Sequence, residues 1–106
     1  MRALSFALAA AVTLASAGLA FAQDRITDSQ YLAAARCTGL AQGAGESAEA
    51  FENFYKAQSK RRPTFISEQA EKARDKARHS AKIANETQRG VFTQELAGAC
   101  AAYRAS

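Results

Sequence analysis

Few residues in this chain could do chemistry: two cysteines, Cys37 and Cys100; one histidine, His79; and a run of basic side chains between Tyr55 and Gly90. The cysteines stand too far apart in sequence for a C-x-x-C redox pair. Two thiols and one imidazole are also too few ligands for a structural metal site. No C-x-x-C-H occurs, which excludes covalent haem attachment of the usual kind. His79 lies among Lys76, Arg78 and Lys82, with Asp75 four residues before it. That spacing gives a neighbour on a helix surface and does not make a nucleophile–base–orienter constellation. G-x-S-x-G is absent, and Glu68 and Glu71 share an exposed helical face without a cleft between them. These residues assign no catalytic group and no metal ligand, they imply no cofactor, and the chain reads as a non-enzyme.

The fate of the thiols depends on compartment, and the first residues speak to that. Met1-Arg2 places one positive charge before an unbroken apolar and small-residue run from Ala3 to Ala22, closing on Ala20-Phe21-Ala22. A charged start, an apolar stretch and small residues before the cut make a secretory signal peptide over residues 1–22, with Gln23 as the first mature residue. The run is rich in Ala rather than Leu or Ile and no positive cluster follows it, so cleavage is expected over a retained anchor, leaving no integral membrane segment. The expected destination is the periplasm or the medium. Two cysteines delivered there pair as a disulfide, Cys37–Cys100.

Residues 23–106 form one domain carrying 13 Lys+Arg against 10 Asp+Glu. Large apolar side chains are sparse and alanine fills much of the remainder, a composition that makes a thin core in need of a staple. No stretch alternates apolar and polar residues for long, and Ala, Glu, Gln, Lys and Arg predominate. All of these favour helix because they lose little rotamer freedom there.

Four helices are predicted. The first covers 28–41, with Thr27 and Gln30 spaced as a capping box and Ala33, Ala34, Cys37, Leu40 and Ala41 on one face, ending at Gly43. The second covers 47–61, with Ser47 as its cap and Phe51, Phe54 and Tyr55 as an aromatic core stripe before Pro63. The third covers 64–88, with Gly90 closing it and a small-residue seam through Ile66, Ala70, Ala73, Ala77, Ser80 and Ala84. The fourth covers 91–104, with Phe92, Leu96, Ala99, Cys100 and Tyr103 on one side. Short connections favour an all-α up-down four-helix bundle, with a three-helix arrangement as the alternative. In an up-down bundle the first and last helices are neighbours, which brings Cys37 to Cys100. A third helix of about 37 Å beside a first of about 21 Å would overhang it, and the overhanging seam suggests a homodimer.

The basic run carries the only functional slant. Ten Lys and Arg between Tyr55 and Gly90 face four acids, a net +6, whereas residues 23–55 net −3. Lys60, Arg61, Arg62, Arg74, Arg78 and Lys82 are the candidate residues for docking on an anionic surface: phospholipid, lipopolysaccharide or an acidic protein. Export argues against nucleic acid. The expected function is binding of an envelope component or protein partner. The alternative is a periplasmic stress chaperone or inhibitor whose thin core loosens to expose its aromatics.

Overall fold

A computed structural model describes residues 25–105. The leader read at 1–22 lies outside the described residues. Four α-helices follow in order: α1 (Asp28–Ala44), α2 (Glu49–Gln58), α3 (Thr64–Lys82) and α4 (Glu86–Ala97), then a closing 3-10 turn (Ala99–Tyr103). No strand occurs among the described residues.

The chain runs up-down-up-down. Thr38 Oγ1 donates to Phe51 O, while Gln58 Oε1 accepts from Ile26 N, so α2 descends along α1. Gly39 faces Arg74 and Ala77 and Gly43 faces Arg78 and Ala81, so α3 ascends parallel to α1. α4 starts beside Gly43 and Ala44 and ends at the Arg36–Glu95 ion pair, so it descends. The four helices do not form an even ring. α1 is the hub: it packs most extensively on α3 and also touches α2 and α4, while the backbones of α2 and α3 keep apart and meet only through side chains such as Arg74 over the Tyr55 ring.

The α1 start is as predicted. Thr27 Oγ1 accepts from Gln30 N and Gln30 Oε1 accepts from Thr27 N, closing a capping box. Its end differs. The helix continues through Gly43 to Ala44, and Gly45 takes the left-handed conformation (φ 74°). Gly45 N and Glu46 N then return to Gln42 O and Ala41 O, which satisfies the last carbonyls. Gly43 serves packing. A Cβ there would strike the Arg78 carbonyl and stand 2.9 Å from Ala81 Cβ, and one at Gly39 would strike the Arg74 carbonyl and stand 3.0 Å from Ala77 Cβ. Glycines four residues apart let the two backbones close, with Ala35, Ala70, Ala77 and Ala81 completing the seam.

The other boundaries also move. α2 begins at Glu49 with Ala48 at its cap position and no side-chain cap, rather than at Ser47. It ends at Gln58, ahead of a turn in which Arg61 adopts φ 63° and Arg25 donates to the carbonyls of Lys60 and Arg61. The predicted third helix over 64–88 stops at Lys82. Asn85 Oδ1 accepts from Gln88 N and Gln88 Oε1 accepts from Asn85 N, so a second capping box opens α4 at Glu86. Gly90 therefore lies inside α4, with open space around it.

Two clusters make the core. One gathers Cys37, Leu40, Ala41, Phe51, Ala77, Ala81, Leu96 and Cys100, and the other gathers Tyr31, Ala35, Tyr55 and Ala70. Phe51, Phe54 and Tyr55 are buried, as the aromatic stripe predicts. The Cys37–Cys100 disulfide is formed, with Cα atoms 5.7 Å apart, and ties α1 to the closing turn. The turn is fixed further by Ala105 N donating to Ala50 O and by Tyr103 against Phe54.

Candidate functional site

The six candidate basic residues separate by environment. Arg62 is not a surface group: its side chain is 1% exposed. Its guanidinium donates to Asp28 Oδ1 (2.8 Å) and Ile26 O (2.9 Å), its Nε donates to Gln58 O (2.8 Å), and it lies 4.6 Å above the Tyr31 ring. Arg62 thus clamps the segment entering α1 onto the end of α2, and no external anion reaches it. Arg74 is half-buried, 5.6 Å from the Tyr55 ring and 3.5 Å from Asp75 Oδ1. Arg78 is exposed but pairs with the same Asp75 at 3.2 Å. Lys60, Arg61 and Lys82 are exposed. The candidates do not make one patch. Lys60 and Arg61 lie on the turn after α2, Arg74 and Arg78 point along one side of α3, and Lys82 sits at its end.

Exposed cations of the basic run outside the six candidates lie on α3 as well. Lys72 and Lys76 are exposed, one turn apart, and His79 is exposed nearby. Phe65 and Ile83, at the two ends of α3, are 66% and 67% exposed despite their size. Helical spacing could have shown these positions falling together, off the small-residue seam.

Because α2 and α3 stand apart, a cleft of about 570 Å³ opens between them over α1. Tyr31 and Tyr55 form part of its floor, with rings stacked at 5.1 Å and 5°. Burial, and then the hydrogen bond with Tyr31, push the Tyr55 phenol well above its ordinary pKa, so it stays neutral. The walls carry Glu52 and Lys56 from α2 and Glu71 and Arg74 from α3. Charges of both signs balance there, so the cleft offers no field for a charged ligand of one sign. On the far side of α1, Arg36 binds both oxygens of Glu95 (2.7 and 3.0 Å), which holds the Glu95 carboxyl below the usual carboxylate range. This pair fastens α4 to the hub.

Among the described residues no group of three or more His, Cys, Asp or Glu stands close enough to hold a metal ion, and no helix is long and apolar enough to cross a membrane. Comparison with protein-family models, with curated proteins and with solved structures returns no match for this chain.

Proposed function

We propose that this chain is an exported, non-catalytic binding protein whose mature domain adsorbs to an anionic component of the cell envelope. The observation that carries the reading is the set of cations exposed after folding: Lys56, Lys60, Arg61, Lys72, Lys76, Arg78, Lys82 and Arg89, spread from the second half of α2 to the first turn of α4. Burial removes Arg62 from this set, but the remainder still outnumbers the acids of the same segment. The Met1–Ala22 pattern supports export, and a disulfide supports an oxidising destination such as the periplasm.

The test is sedimentation of the mature protein with phosphatidylglycerol–phosphatidylcholine vesicles. Binding at low salt that fades near ~0.15 M, where screening shortens to about 8 Å, is the expected result. Failure to bind at low salt, or equal binding to neutral vesicles, overturns the reading. Intact mass of secreted protein should match a start at Gln23. A second reading, a stress chaperone or inhibitor, is favoured by the poverty of the core, in which, among the described residues, Tyr31 and Leu40 are the only large apolar side chains less than 2% exposed. Suppression of client aggregation after acid or heat would select it.

A further inference from the structure

We infer that the outward strip of α3 (Phe65, Lys72, Lys76 and Ile83) is a lipid-docking edge, on which Phe65 and Ile83 enter the bilayer interface while the two lysines sit at anionic headgroups. The inference rests on the envelope-binding reading and names the face and the mode of contact. Ile83 caps α3 and its N–H still bonds His79 O, so it continues the last turn, and the four positions follow at spacings of seven, four and seven. At about 100° per residue this keeps them within roughly 40° of one another around the helix. All four are exposed, and Phe65 and Ile83 are two of the three large hydrophobic residues most open to water among the described residues. The acids of α3 fall elsewhere: Glu68, Glu71 and Asp75 lie roughly 60–120° away from the middle of the strip. Ser67, Glu71 and Arg74, which face the cleft, lie about 120–180° away, so the strip looks out from the opposite side of α3.

Charge complementarity selects the occupant. A strip with two cations, no anion and an apolar residue at each end matches an interface of anionic headgroups over acyl chain. The lysine stems lie along the apolar side while their ammonium groups stay with the phosphates. Phe65 and Ile83 are about 27 Å apart along the axis, so the helix would lie in the plane of the surface. It need not leave the fold to do so, because its other side stays packed on α1.

The chain contains no Trp, so each substitution that adds one creates a single reporter. Phe65→Trp and Ile83→Trp report the strip, and Ala57→Trp, on the exposed side of α2, is the reference. Each is mixed at low salt with phosphatidylglycerol vesicles containing brominated acyl chains, and sedimentation of the same samples reports binding. The expected result is a blue shift and strong quenching at positions 65 and 83, with neither at 57. Sedimentation without quenching at 65 and 83 would overturn the strip while leaving adsorption standing, whereas no sedimentation of the wild type would remove both. Retention on immobilised polyglutamate equal to that on vesicles, with both strip reporters still in water, would assign the surface to an acidic protein and overturn the lipid assignment.

Discussion

On its inward side α3 presents Ala77 and Ala81 to Gly39 and Gly43 and buries Ala70 in the cluster with Tyr31 and Ala35, and on its outward side it presents Phe65, Lys72, Lys76 and Ile83 to water. The usual distribution of size is inverted: the small side chains are inside and two of the bulkiest are outside. Ala and Gly lose no rotamer freedom on burial, so the inward face converts close backbone approach into stability with little entropy to offset. That closeness leaves no room at the seam for Phe65 or Ile83. One face of the helix makes the fold, and the other is left open to water.

The largest effect should come from breaking the inward face. In Gly39→Val the added atoms meet the Arg74 carbonyl, which is backbone and cannot swing away, so α3 must shift. A loss of about 3 kcal/mol or more is expected, against a total of roughly 5–15 kcal/mol for a small domain. The matched control is Gly90→Ala, where nothing lies within 4 Å and the helix should gain about 0.5–1 kcal/mol. Urea midpoints measure both. Similar losses at the two glycines would mean that the α1–α3 approach is not what makes Gly39 intolerant.

Next in size is the staple. The Cys37–Cys100 bond closes a loop of sequence separation 63, for which the chain-entropy model gives about 4 kcal/mol. Leu96 is the one buried residue within α4. Removing the bond with Cys37→Ser/Cys100→Ser should therefore lower the urea midpoint and release amide protection over 86–97 before that of α1 and α3. Uniform loss of protection would show that the fastening of α4 and the glycine seam are one cooperative unit.

Arg62 should separate folding from the proposed adsorption. Arg62→Met removes a buried guanidinium from Asp28, Ile26 O and Gln58 O, with an expected loss of about 2–3 kcal/mol. Vesicle binding should persist while the variant remains folded. At the small end, Phe65→Gln and Ile83→Gln should change stability by no more than about 0.5 kcal/mol, because both side chains already stand in water.

Much of this architecture was legible in the chain. Helix formers predict an all-α fold, Thr27 and Gln30 predict the first cap, and the inward positions of Cys37 and Cys100 on the first and last segments predict their pairing. The break between α3 and α4 was masked because the residues on either side of Asn85 are helix formers, so a later glycine drew the boundary away from the Asn85–Gln88 capping box. Gly43 carried a turn signal, yet its role depends on a helix distant in sequence. Charge counting could not show that Arg62 is buried, since that follows from where the chain entering α1 lies. The seam predicted on α3 holds in part: Ala70 and Ala77 are buried, Ala81 joins them, Ile66, Ala73 and Ser80 are only half-buried, and Ala84 lies past the helix end. α1 occupies this seam, and at 19 and 17 residues the two helices are close in length. The overhang that motivated self-pairing is therefore absent among the described residues.

If one side of α3 folds the domain and the other docks it, a matched pair of charge reversals on exposed lysines will tell the two sides apart. Lys72→Glu/Lys76→Glu alters the outward strip, while Lys56→Glu/Lys60→Glu makes the same change in net charge at the α2 end. Binding to anionic vesicles is measured for both at low salt. A lysine near an anionic surface is worth about 1 kcal/mol, so the first variant should bind about tenfold more weakly or worse, and the second should fall well short of that. Equal losses would show that net charge alone governs adsorption and that the outward strip has no special part in it.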